Sequence, residues 1–159
     1  MNGLSTIVRT VALILFVPVL VLGFYVIAHG HLTPGGGFQG GTIIATSLAL
    51  VLVAFGGEHF KKAVSKETLK NLESIGLTVF IGAALLGLGA TFFANFLANS
   101  GLLFGKSIGF GVNPGYINTS GTIAVMNFAV GTEVAVGLSL VLMLMFFSSD
   151  SGMEGGEKK

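Results

Sequence analysis

"TIAVMNFAVGTEVAVGLSLVLMLMFF", residues 122–147, is 26 residues long and holds a single charge, Glu133. A hydrocarbon core of about 30 Å takes about 20 helical residues to cross, so this run is long enough to span a bilayer. The rest of the chain repeats the pattern. No Asp, Glu, Lys or Arg occurs from Thr10 to Gly57, nor from Ser74 to Gly105. Only 9% of the 159 residues are charged and 52% are hydrophobic, where a soluble domain carries about 25% charged residues. A domain of this size keeps much of its surface in water, so uncharged stretches this long have no soluble core in which to hide. The solvent they fit is lipid. Apolar and polar residues do not alternate with the dyad period of a membrane β-barrel, and the fold class is therefore all-α and integral to the membrane.

Four stretches have spanning length: about 5–28, 38–55, 74–98 and 122–147, together a membrane domain over 1–148. In the first, Arg9 lies close enough to an end to snorkel to the surface, and Pro18 predicts a kink. The apolar run behind "MNGLSTIVR" is longer than the core of a cleaved signal peptide, so the N-terminus reads as retained. Between the second and third spans, Phe60, Ala63, Val64, Leu69 and Leu72 fall near one helical face while Lys61, Lys62, Lys66 and Lys70 lie mostly off it. That pattern describes an amphipathic helix at the membrane interface, and an ordinary solvated connector accounts for it equally well. Residues 149–159 are polar and glycine-rich, the composition of a disordered tail.

Four spans put both termini and the 57–74 segment on one side of the membrane. That side collects Arg9, Lys61, Lys62, Lys66, Lys70, Lys158 and Lys159, against Lys106 alone on the other. The positive-inside rule then predicts a multi-pass protein of the cytoplasmic membrane with both termini cytoplasmic. A net charge of +1 offers nothing to nucleic acid. The absence of cysteine removes disulfides, thiolate nucleophiles and cysteine-ligated metal centres.

Several motifs fail on context. Gly35, Gly37 and Gly40 spell G-x-G-x-x-G, with Glu58 at about the spacing of a dinucleotide fingerprint. The element before them is a full membrane span rather than a short strand, and another span separates them from Glu58. "GLLFGKS", residues 101–107, has three residues between its glycines where a phosphate loop has four. His29 and His31 lack carboxylate or thiolate neighbours, which favours histidines bonded to helix-end carbonyls over metal ligands. No metal and no cofactor is expected in this chain, and no nucleophile–base pair suggests catalysis.

Glu133 is the exception. Near the centre of a span, an acid costs about 2.5–3.5 kcal/mol on insertion scales, while one apolar residue returns only about 0.3–0.6 kcal/mol. It must therefore face protein or water, carrying a proton or meeting a cation. The only cation within the chain's own spans is Arg9, near the opposite surface, so the partner is a proton or a residue of another subunit. Glu133 reads as a proton or ion relay group; a structural acid bonded across helices is the competing reading.

Small residues recur at every fourth position: Gly37, Gly41, Ala45 and Ala49, then Ala90, Ala94 and Ala98, then Gly131 and Ala135. Glycine costs a helix about 1 kcal/mol against alanine, so the stripes point to close backbone packing in lipid. "HGHLTPGGGFQGG", residues 29–41, sits where the first two spans reverse direction. Pro34 suits a turn or a first helical position, and the glycines remove side chains there. Bare backbone at that depth is tolerated only under protein or water, which makes the turn an embedded joint.

The turn also carries a resemblance. Gly30, His31, Pro34, Gly35, Gly36, Gly37, Phe38, Gly40 and Gly41 match the Gly-His-x-x-Pro-Gly-Gly-Gly-Phe-x-Gly-Gly signature of the B-type subunits of Mrp or Mnh multisubunit sodium/proton antiporters. Residues 119–137, "TSGTIAVMNFAVGTEVAVG", look like that family's last-span signature. Similar subunits belong to archaeal complexes that join an antiporter-like module to a membrane-bound hydrogenase or sulfane sulfur reductase. The resemblance implies a non-catalytic membrane subunit of a cation (Na+)/proton antiporter module, free-standing or redox-coupled, working among other membrane subunits on Na+ and H+. The alternative it leaves open is a scaffold that seals an ion path built by its neighbours. Bacterial members of the family are expected to have an acid near the position of Asn127, where here the acid is Glu133. Glu133, Asn127 and His31 are the candidate relay residues, and Pro34, Gly35, Gly36, Gly37, Phe38, Gly40 and Gly41 the structural turn.

Overall fold

The computed structural model describes residues 4–57, 60, 65–109 and 115–156, with side chains to residue 147. Four helices are long and apolar enough to cross a membrane, and no strand occurs among the described residues. They are α1 (Thr6–His29), α2 (Gly36–Phe55), α3 (Lys66–Leu86) and α4 (Thr122–Gly156). Single 3-10 turns follow α3 at Gly87–Gly89 and precede α4 at Ile117–Thr119. α1 packs along α2, α2 along α4, and α4 along α3, with a lesser contact of α1 with α4.

Small residues set these seams. A Cβ on Gly23 would lie 2.6 Å from Ile44 Cγ1 and 3.0 Å from the Gly40 oxygen, so α1 and α2 approach backbone to backbone. A Cβ on Gly41 would lie 2.7 Å from the Gly131 oxygen across the α2–α4 seam, with Ala45 and Ala135 buried along it. Where helices have no water to escape from, such close approach supplies the dispersion contact that holds them together. The outer faces of α1 are the reverse: Ile7, Ile14 and Val21 are 76%, 65% and 58% exposed, the composition of a wall presented to lipid or to another protein. Pro18 sits inside an unbroken α1. Arg9 is half-buried, its guanidinium carbon 5.8 Å from the centre of the Phe55 ring.

The third span departs from expectation. Hydropathy predicts 74–98, but the helix starts at Lys66 and ends at Leu86. Its start is set by an N-cap, the Ser65 side chain accepting a hydrogen bond from the Thr68 N–H at 3.0 Å. Twenty-one residues at about 1.5 Å each still give about 31 Å, a full crossing. After Gly87 the chain folds back on itself. Phe93 takes a left-handed conformation (φ 64°) and its N–H bonds to the Ala84 oxygen. Ala90, Ala94 and Ala98 are consequently not a helical stripe; they lie in the turns that lead away from α3.

Two other expectations change. Most of the proposed interfacial helix, including Glu58, Lys61, Lys62, Ala63 and Val64, lies outside the described residues. Of its flanks, Phe60 and Leu69 are 4% and 5% exposed and join Leu52, Val136 and Met143 in the main apolar cluster, while Lys66–Ser74 is the first part of α3. The tail predicted to begin at 149 carries on the helix of the fourth span to Gly156.

Candidate functional site

The glycine turn forms one locus. Pro34 and Gly35 make the reversal, with Gly35 at φ +81° as the N-cap of α2, a left-handed position that glycine adopts at no steric cost. Gly36, Gly37, Gly40 and Gly41 are buried and Phe38 is 61% exposed. The turn presses Gly30 against Gly36, and a Cβ on Gly30 would meet the Gly36 Cα at 2.7 Å and Asn127 Nδ2 at 2.8 Å. Asn127 thus reaches from α4 into the turn. Its Nδ2 is buried and has no hydrogen-bond partner among the described residues.

His31 belongs to the same locus. One ring nitrogen, Nδ1, is 3.2 Å from the Ala28 oxygen and the other, Nε2, is 2.7 Å from the Gly115 oxygen. His29 points elsewhere and stacks on Tyr25 with ring centres 5.3 Å apart. No group of three or more potential metal ligands occurs among the described residues.

Glu133 is not at the turn. Six residues separate it from Asn127, about 240° around a helix, so the two side chains leave α4 on different faces. Glu133 faces α3. A Cβ on Gly76 would lie 3.2 Å from the Glu133 nitrogen and 3.4 Å from its Cβ. One turn further along the same seam, Glu73 Oε1 lies 3.3 Å from where a Cβ on Gly137 would stand. Two half-buried glutamates therefore share the α3–α4 seam, each opposite a glycine of the other helix. α4 supplies no cation between Thr122 and Phe147.

Of the three candidate relay residues, His31 and Asn127 come together around Gly30, and Glu133 stands apart. The residue that sequence reasoning missed is Glu73, assigned with Lys66 and Lys70 to a connector outside the membrane. A signal was present. Glu73 and Gly76 are three residues apart, and Glu133 and Gly137 four, the spacings of one helical face; two antiparallel helices that pair acid with glycine in this way fit each other.

At the end of α4 that meets the turn, Asn95 ties the chain leaving α3 to the start of α4. Its Oδ1 accepts from the Thr122 N–H at 2.7 Å and its Nδ2 donates to the Ser120 oxygen at 3.1 Å.

Residues 7–140 match the family model described as a domain related to the MnhB subunit of Na+/H+ antiporters. An uncharacterized protein of Methanocaldococcus jannaschii is 34% identical over 143 residues, 89% of this chain and 52% of that protein. A Staphylococcus aureus (strain Newman) protein assigned as antiporter subunit mnhB2 is 42% identical over 55 residues, 35% of this chain and 39% of its own length. Among solved structures, a chain of the membrane-bound sulfane sulfur reductase, an archaeal respiratory membrane complex, superposes with a TM-score of 0.70 at 27% identity. The match covers 91% of this chain and 61% of that one. The chain thus spans between about two fifths and three fifths of the length of these relatives.

Proposed function

The chain belongs to the family of domains related to the MnhB subunit of Na+/H+ antiporters, and from that premise we propose that it is a non-catalytic membrane subunit of a cation (Na+)/proton antiporter module. The likeness to a chain of an archaeal respiratory complex supports the further proposal that the module is joined to a redox assembly. In this reading the partners are other membrane subunits, the surrounding bilayer, and Na+ and H+. The lysine bias in the sequence supports placing both termini in the cytoplasm.

One observation carries the transport role: Glu133 lies midway along the apolar stretch Thr122–Phe147 of α4, against α3, with Glu73 a turn nearer the lysine-bearing end. Ionisable groups at such depth are costly to keep and mark ion and proton routes. Glu133 is the relay group in this proposal, Glu73 the group that exchanges protons or cations with it, and His31, Asn127 and the glycine turn form the packing joint at the other end.

The scaffold reading has its own support in the glycine contacts of all three seams, which suit a part that fills and seals. Glu133→Gln distinguishes the two. The variant keeps the shape and hydrogen-bonding capacity of the side chain but cannot ionise. Proton-driven Na+ uptake in membrane vesicles should be lost while the complex is still recovered whole. Uptake at the wild-type rate in an intact complex would leave the scaffold reading standing and end the relay role.

A further inference from the structure

His31 is held between two carbonyl oxygens, one from the last turn of α1 and one from Gly115, 84 residues away in the chain. A neutral imidazole carries one N–H, so with an acceptor at each nitrogen it satisfies one and turns a lone pair on the other. The imidazolium donates to both. The Ala28 oxygen belongs to the carbonyl end of α1, where the helix dipole favours a cation. A second contact joins the same two segments: a Cβ on Gly115 would lie 2.6 Å from Leu32 Cδ1, so the Leu32 side chain covers the Gly115 backbone.

Among the described residues, the segments around the ring carry no acid. On α1 the neighbouring titratable groups are His29, its ring 6.1 Å from that of His31, and Tyr25 stacked on His29. α2 has none from Gly36 to Phe55, and α4 has none before Glu133. The segment bearing Gly115 contributes Tyr116, 61% exposed, and further back Lys106. No Asp or Glu occurs in residues 29–57 or 105–132. The two carbonyl dipoles are what these segments offer a protonated ring.

We propose that His31 is a proton-operated latch between the glycine turn and the segment that leads into α4. With its proton the ring pins Gly115 to the end of α1. Without it, one of the two carbonyls is lost. If that is Gly115 the hydrogen-bonded tie is cut and the Leu32 contact alone remains, and if it is Ala28 the ring is no longer held in the orientation that reaches Gly115. Residues 115–121 then loosen from the turn, and with them the Asn95-braced start of α4. The latch lies at the opposite end of the bundle from Glu73 and does not depend on a transport role for Glu133.

Amide hydrogen exchange tests this in the full chain, in its native assembly in lipid nanodiscs, with each rate divided by the intrinsic rate at the same pH. Between about pH 5 and about pH 8, the interval in which histidine ordinarily changes charge, the corrected exchange of residues 115–121 should rise about fivefold, the change that follows loss of one hydrogen bond of ordinary net strength. In His31→Gln it should not vary with pH. An unchanged corrected rate in the wild type, or the same rise in the variant, would overturn the proposal. Should the variant not assemble, ¹⁵N-histidine spectra of the wild type decide. Two ring N–H signals from His31 at the acid end and one at the basic end support the latch; a single N–H throughout refutes it.

Discussion

Replacing Gly40 with alanine adds one methyl group where α2 lies on α1; its nearest neighbour would be Ile27 Cγ1 at 2.5 Å, a side-chain atom able to turn aside, and the next two are main-chain atoms. The new Cβ would stand 2.6 Å from the Gly23 oxygen and 2.9 Å from the Ile27 nitrogen, where ordinary contact begins at 3.4 Å. Neither atom can rotate away, so the helices must part by about 0.8 Å or tilt, and overpacking of this kind costs about 1–3 kcal/mol. Against it runs the gain of up to about 1 kcal/mol from replacing glycine within a helix. The steric term wins, and with the full propensity gain realised the net loss still reaches about 2 kcal/mol. Gly82 supplies the control, since a Cβ there meets nothing within 4 Å. Gly82→Ala should therefore keep the propensity gain and stabilise by up to about 1 kcal/mol. Equilibrium unfolding of the purified chain in mixed detergent micelles measures both. Shifts of opposite sign are expected. Gly40→Ala at or above wild-type stability, or Gly82→Ala falling as far as Gly40→Ala, would refute the claim that backbone approach, rather than glycine content, organises the α1–α2 seam.

Other outcomes follow from single contacts. Asn95→Ala leaves the Thr122 N–H without its acceptor, a loss of about 1–3 kcal/mol for a buried donor; Asn95→Asp keeps the acceptor and should lose less, as exchange of the Thr122 amide will report. Ser65→Ala removes the cap of α3 and should destabilise by about 1 kcal/mol, with Ser65→Asp restoring most of it in the same unfolding assay. Glu73→Gln should slow Na+/H+ exchange in vesicles less than Glu133→Gln, because Glu73 lies closer to an end of its helix; the reverse order would shift the central role to Glu73.

The sequence made the all-α membrane fold and its number of spans legible, because the absence of charge over spans of membrane length admits few other solutions. The glycine stripes of the second and fourth spans were legible for a related reason: glycine is unfavourable in helices unless something must come close. The third span was misplaced by eight residues at its start. Hydropathy weighs the lysines of Lys66–Lys70 as outside the membrane and the apolar Ala90–Ala98 as inside it, whereas Ser65 and Gly87 set the actual ends by capping and by chain reversal. The same error hid Glu73. Which faces Asn127 and Glu133 turn toward could not be read at all, since that depends on which helices lie on either side of α4. The His31–Gly115 bond, spanning 84 residues, has no local signature.

α4 is the shared beam of this arrangement. It runs unbroken from Thr122 to Gly156, with the Asn127 amide set in the turn on one flank and Glu133 against α3 on another. A stiff rod cannot roll at one station and stay still at the next. Any twist imposed at Asn127 is delivered to the acid about 9 Å further along the axis, without an intervening hinge to absorb it.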